Sequence, residues 1–328
     1  MPKTKLSDII VPAVFAPYAL ERTTELAKVI QTGAVGTDPR FNALASGPGK
    51  TVDLPFWKDL TGESEVLSDS ADLALDRITT GQDAASVHVR GKAWGANVLV
   101  NWLSGEDPMA RIADLVAGFW ARDLQTMLLK ILDGLFDNTN GVLRTTHRLN
   151  IYNDVASPAD SAKLTGTTFI DALQKLGDHS LELIAVAMHS DVEASLRKRD
   201  LITFRPDSEG KAAIEVFQGR RFFVDDTCPK VSGANSPAYT TYIFGRDAFA
   251  YGAGDMDPEE AVEIDRNALA SDTMFVNRKR FILHPRGVKW IGNAAGASPN
   301  NAEVATATNW SKVYADKNIR IVAVRHNV

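Results

Sequence analysis

The sequence predicts an α+β fold with an arm and a long two-stranded loop standing outside a compact body. Three observations carry that prediction. A stretch of helical period runs from 107 to 137 and is the longest regular element in the chain. Two strand-like stretches within 50–100 are separated by roughly 25–30 polar residues, far beyond the usual hairpin loop of about 2–5. From about residue 165 onward, short helical and strand patterns alternate to the C-terminus.

Composition bounds the function. The chain has 328 residues, 45% hydrophobic and 23% charged, which suits a soluble globular protein with one large core or two linked ones. Net charge is −5 and the pI about 5.7, so there is no overall basic footprint for tight nucleic-acid binding. A single cysteine, Cys228, excludes an internal disulfide and a CxxC metal site, and it fits a reducing cytoplasm. The N-terminus has a short apolar run broken by Pro12 and Pro17 and lacks the pattern of a signal peptide. No window approaches the ~18 apolar residues of a membrane span. A soluble intracellular product with no membrane partner is expected.

Residues 1–49 read as an arm, with a short helix around 19–31 followed by the Gly/Pro/Ser-rich TGAVGTDPRFNALASGPGK. In 50–100, TVDLPFW and SVHVRGKAWGANVLV alternate like strands. The segment between them is polar and acidic, with Glu63, Glu65, Asp69, Asp72 and Asp76 and only scattered apolar groups. A projecting two-stranded arm is the economical reading. The helix that follows has Asp107 placed as N-cap and Pro108 at the first helical position. Ile112, Leu115, Phe119, Leu124, Met127, Leu128, Ile131 and Leu135 recur at helical spacing, which reads as a core-facing stripe. Its expected length is roughly 45 Å.

TTFIDALQKLGDHS then looks helical, LELIAVAM is a buried strand, and HSDVEASLRKRDL is a helix opening at Ser190 or Asp191. KAAIEVF and RRFFVDD form a hairpin, and TTYIFG is another strand. AVEIDRN, TMFVNRKRFILHP and GVKWI read as strands, SPNNAEVATATNWSKVYADK as helix, and NIRIVAVRHNV as a closing strand. There is no internal repeat and no flexible linker.

The stretch VFQGRRFFVDDTCP, 216–229, concentrates arginines, carboxylates and the thiol. Adjacent strand residues point to opposite faces, so Asp225 and Asp226 do not make a paired-carboxylate site unless the strand has already ended. They read as strand-end polarity before Pro229. Arg220 and Arg221 read as hairpin-tip charges available to a neighbouring subunit, and Cys228 as a small buried apolar residue. The six histidines include no pair three or four apart on a helix, as zinc sites commonly have, and His189 reads as a cap or turn residue. GAGDMDPEE, 252–260, lacks the spacing and glycine of an EF-hand. RKR, 197–199, and NRKR, 277–280, read as solvated faces or as partners for acidic patches between subunits. No catalytic, cofactor or metal residue is expected, and no cofactor.

The order of these pieces resembles the major capsid proteins of tailed bacteriophages with the Hong Kong 97-type fold. The phrases IAVAMHSDVEASLRKRDLI, VFQGRRFFVDDTCP, TTYIFGRDAFAYG and NWSKVYADKNIRIVAV look like capsid sequence, and the resemblance covers nearly the whole chain. It implies an N-terminal arm, 1–49, and an extended loop, 50–100. It further implies a peripheral domain with a spine helix, 101–149, an axial domain, 150–262, and a return to the peripheral domain, 263–328. The implied function is that of a non-enzyme that self-assembles as hexamers and pentamers into an icosahedral shell around double-stranded DNA. The implied location is the virion, after assembly in the host cytoplasm.

Only about 50 residues precede the loop, too few for the scaffolding region some members carry; any such region is expected on another chain or cleaved off before this sequence begins, and Met1 favours the former. Portal and decoration proteins and non-specifically contacted DNA complete the implied partners. Two rival readings exist. An encapsulin-type compartment shell has the same fold but a shorter arm and a differently placed loop. An α+β enzyme using Asp225, Asp226 or His189 leaves the 50–100 loop without a purpose.

Overall fold

The long helix forms over Pro108–Leu135, 28 residues or about 42 Å at 1.5 Å per residue. The structure, a computed structural model, describes residues 33–67, 72, 75–97, 108–206, 213–267 and 271–328. The expected helix at 19–31, Asp69 and the expected N-cap Asp107 lie outside those residues.

Two sheets take up most of the described strands. In the six-stranded sheet, β1 (Val35–Thr37) pairs in parallel with β11 (Phe249–Gly254). β11 then pairs with β13 (Asp272–Pro285), β13 with β3 (Thr80–Asn97), and β3 with β2 (Thr51–Trp57). β12 (Val262–Asn267) also lies on β13. The eight-stranded sheet runs β4 (Arg148–Asn150), β16 (Ile321–His326), β10 (Ala238–Gly245), β5 (Leu183–Met188), β8 (Arg220–Val224), β7 (Ala213–Phe217) and β6 (Ile202–Pro206). β9 (Lys230–Val231) is attached to β10. A small third sheet pairs β14 (Val288–Trp290) with β15 (Trp310–Lys312).

Strand periodicity explains why one sheet serves two cores. Ala185 and Ala187 of β5, Tyr242 and Phe244 of β10, and Ile321 and Ala323 of β16 face the long helix. There they meet Leu128, Ile131 and Leu135, together with Phe249 and Phe281 from the other sheet. The intervening Val186, Met188, Ile243, Val322 and Val324 face the opposite side and pack with Phe169 and Leu196 of two short helices. Those helices are Gly166–Leu173 and Ser190–Lys198.

Several expectations change. Leu115, placed in the apolar stripe, is 62% exposed, while Val116 and Trp120 turn inward onto Val262 and Phe275. The helix's N-terminal half meets only the end of one sheet, so its buried stripe is narrow there. The predicted C-terminal helix resolves into one turn, Asn301–Val304, two short 3-10 turns and the strand β15. Asn300 and Glu303 form a capping box that starts the turn. Trp310 then leaves helical geometry to pack edge-on against Trp290, ring centres 5.1 Å apart, with Nε1 donating to the Val304 carbonyl at 2.8 Å.

Strand β11, FAYGAG, was not legible because glycine disfavours strands. Here it is required: a Cβ at Gly252 would meet Phe41 at 2.4 Å, because the helix Pro39–Ser46 lies directly on the strand. Sheet membership also cuts across the boundaries drawn from element order. β16, grouped with 263–328, lies in the eight-stranded sheet, and β11, grouped with 150–262, lies in the six-stranded one.

Candidate functional site

The corner at 216–229 is built for structure. β7 and β8 pair through Val216↔Arg221 and Phe217↔Arg220. Gln218 and Gly219 both have positive φ, 50° and 76°, as the tightest two-residue hairpin turn requires. Arg220 is not a free tip charge, contrary to expectation. Parallel pairing of β8 with β5 carries its guanidinium to the Leu183 carbonyl, where Nε donates at 2.8 Å, and it lies over the Phe169 ring at 5.7 Å. Arg221 remains exposed.

Asp225 and Asp226 lie just past the end of β8, in a turn, and point to different partners. Asp225 accepts from the Thr227 amide at 2.9 Å and the Thr227 hydroxyl at 2.7 Å, and Gln125 donates to its other oxygen. Asp226 turns to the start of the earlier helix Ser190–Lys198 and accepts from the Ser190 amide at 3.3 Å. Hydrogen bonds from Ser190 hold its carboxyl below the usual range. His189 caps that helix, its Nδ1 accepting from the Asp191 amide at 3.1 Å. Asp191 in turn takes Lys230 at 2.7 Å and the Tyr239 hydroxyl at 2.8 Å. Cys228 is buried, and burial together with the charges of Asp225 and Asp133 pushes its thiol up, away from reactivity. Among the described residues, no group of three His, Cys, Asp or Glu side chains is placed to hold a metal ion. No helix among them is long and apolar enough to cross a membrane.

The two basic runs are largely occupied within the subunit. Arg199 pairs with Asp160 at 3.2 Å and Arg278 with Glu263 at 3.0 Å. Arg197 binds Glu193, and Arg280 reaches the Gly47 carbonyl. Asn277 is buried and accepts from Trp120 Nε1. Lys279 lies over the Trp120 ring at 5.2 Å, and burial lowers its ammonium to about 8, with Asp123 opposing. They are therefore poor candidates for the intersubunit charge patches expected of them.

One pair escaped sequence reasoning. His284 Nε2 sits 3.1 Å from Asp83 Oδ2, both nearly fully buried, and the Gly287 amide donates to the same carboxylate at 3.3 Å. The partners lie about two hundred positions apart, so no local spacing signals them.

The hairpin exposes apolar side chains. Residues 58–79 connect β2 to β3, closing with Lys58 N–H on the Thr79 carbonyl at 2.9 Å. Trp57, Leu60, Val66, Leu67, Leu75 and Ile78 all face solvent, Val66 at 93% and Leu75 at 99% exposure. Glu63, Glu65, Asp72 and Asp76 are exposed beside them. Exposed apolar side chains gathered on one segment are characteristic of interaction sites.

Comparison with known proteins agrees. A family model described as Gp13-like, major capsid protein 13-like, matches residues 138–319. The major capsid protein of Bacillus phage SPP1 is 42% identical over 332 residues, covering 100% of this chain and 99% of that one. Among solved structures, the capsid of Ralstonia phage GP4 superposes with a TM-score of 0.61 at 10% identity, covering 90% of this chain and 87% of that one. The capsid asymmetric unit of cyanophage Pam1 gives 0.56 at 10% identity, with 88% and 87% covered. The acid-stable capsid of Helicobacter pylori bacteriophage KHP30 gives 0.53 at 9% identity, with 90% and 87% covered. With a relative this similar over its full length, a matching family model and capsids as its fold neighbours, the chain belongs to the Gp13-like family of tailed-phage major capsid proteins and has the Hong Kong 97-type fold.

Proposed function

We propose that this chain assembles as hexamers and pentamers into an icosahedral shell enclosing a double-stranded DNA genome. The observation that carries the reading is the hairpin, whose apolar side chains Leu60, Val66, Leu67, Leu75 and Ile78 stand exposed. A neighbour covers them, and a heterologous contact repeated by rotation closes into rings and shells. In this reading 1–49 is the arm, 50–100 the extended loop, 101–149 the peripheral domain with its spine helix, 150–262 the axial domain and 263–328 the return. β16 and β11 cross between the last two, which knits the domains together.

Assembly takes place in the host cytoplasm with a separate scaffolding protein, and portal and decoration proteins join the virion. Contact with packaged DNA is non-specific. We assign no residue a catalytic, cofactor or metal role. The encapsulin reading is not favoured, since the full-length relative is a phage capsid protein. Electron microscopy of the purified protein, alone and with its scaffold, tests the proposal. Shells or capsomers support it; cargo-filled compartments or only small discrete oligomers refute it.

A further inference from the structure

Beyond the end of the long helix the chain turns back into β4, and three arginines gather around Asn138 in that turn. Parallel pairing sets Ala323 of β16 beside Arg148 of β4, so Arg325, two residues on, projects from the same face. Arg148 Nη1 donates to Asn138 Oδ1 at 2.8 Å, and Arg325 Nη1 donates to the same oxygen at 3.1 Å. Arg144 Nη1 donates to the Asn138 backbone carbonyl at 2.8 Å. The other acceptor of Arg148 is the Phe136 carbonyl at 3.0 Å, while its buried Nε has none. Among the described residues, all of these hydrogen bonds go to neutral oxygens and none to a carboxylate.

Arg148, Arg325 and Asn138 line a cleft of about 540 Å³. The carboxylates that share it are engaged by other groups. Asp133 carries Lys130 at 2.8 Å, and Asp226 accepts from the Ser190 amide. Asp137 accepts from the Thr139 and Asn140 amides, both at 2.9 Å, and its charge acts on Arg148 through space. Burial lowers Arg148, and the charges of Arg325 and Arg144 lower it further. Three cations thus stand near one carboxylate, held together by an amide that carries no charge. Like charges gathered on a neutral group repel one another, and an anion placed among them relieves the repulsion.

We propose that Arg144, Arg148 and Arg325 bind a phosphate group in this cleft, supplied by the DNA backbone or as free phosphate. Phosphate presents several oxygens to guanidinium forks arriving from two strands and a turn, where a carboxylate has only two to offer. Contacts of this kind position a protein on nucleic acid without reading its sequence. The DNA source rests on the reading of the chain as a genome-enclosing shell. Phosphate binding by the subunit stands without it.

Isothermal titration calorimetry of the unassembled full chain tests this, with inorganic phosphate in one arm and a short DNA duplex in the other. Saturable phosphate binding is expected, weakened at least about tenfold in Arg325→Gln, the scale of one hydrogen bond to a charged group. Arg278→Gln, at an exposed ion pair outside the cleft, should leave binding unchanged. Arg148→Lys keeps the charge but not the fork, and it too should bind more weakly. Circular dichroism melting shows whether each variant folds, and Arg144→Gln on the turn replaces either strand variant that does not. Duplex binding lost in the same variants identifies the DNA backbone as the source, and binding of phosphate alone identifies free phosphate. The proposal fails if neither ligand binds, or if the cluster variants bind as the wild-type chain does. It fails equally if neither ligand binds while Arg325→Gln prevents capsomers from forming, which would put a carboxylate of a second copy in the cleft.

Discussion

Asp83 and His284 meet at 3.1 Å inside the protein, at the point where the strand Thr80–Asn97 changes partners. Up to Ser86 that strand pairs with Thr51–Trp57, and from Val87 onward with Asp272–Pro285. The ion pair fastens the hairpin stem to the body just where the backbone ladder to β13 ends. The two atoms are close, but their geometry is not that of a hydrogen bond. Burial pushes the Asp83 carboxyl up, but the contact and charge of His284 outweigh this and hold it below its ordinary value.

Breaking this pair from one side leaves an uncompensated polar group in the interior. Asp83→Asn should therefore destabilise the subunit by about 3 kcal/mol, the usual cost for half of a buried pair. Urea denaturation of the unassembled protein measures it. A loss below about 1 kcal/mol would place the pair among contacts of little consequence.

Two fully buried imidazoles should make the subunit acid-sensitive. Burial, with the charges of Arg90 and His284, lowers His88 to about 3, and burial lowers His326 to about 4. Both rings stay neutral in the folded chain, while the unfolded chain takes up protons from about pH 6.5 downward. The unfolded state thus binds more protons between about pH 6.5 and 4, and stability falls as pH falls through that window. The slope is at most about 1.4 kcal/mol per pH unit for each ring. Melts at about pH 7, 5.5 and 4.5 should show the decline, and His326→Gln should flatten it. Constant stability down to about pH 4.5 would contradict the account.

Replacing residues 60–78 by a short Gly-Ser bridge should leave the subunit folded and stop it assembling. Leu60, Val66, Leu67, Leu75 and Ile78 are exposed, so their removal loses few buried contacts, and loop closure changes little with length. Assembly of the intact chain should also weaken with salt, because the acidic groups of the loop are exposed. Circular dichroism melting set beside particle counts separates the two effects. Normal shells from the shortened chain would sink the assembly role of the hairpin.

At the 225–228 corner, Asp226→Asn should have no measurable effect on stability, since that carboxylate is exposed. Cys228→Ser buries a hydroxyl in an apolar setting and should cost about 1–3 kcal/mol. Neither change should remove a turnover. A hydrolytic or redox activity lost in either variant would overturn the structural reading of the corner.

What the sequence determined by itself is local. The long helix, the strand at 183–188, the hairpin turn at Gln218-Gly219 and the His189 cap all follow from side chains within a few positions of one another. The long interval between two alternating stretches likewise announced the projecting loop. The tertiary structure alone decided which strands share a sheet, that Arg220 is consumed by the Leu183 carbonyl, that Gly252 makes room for Phe41, and that Asp83 finds His284. The reason is physical. Periodicity is set by neighbours along the chain, whereas burial and pairing depend on register between segments tens to hundreds of residues apart, and a one-residue shift turns every strand side chain to the other face.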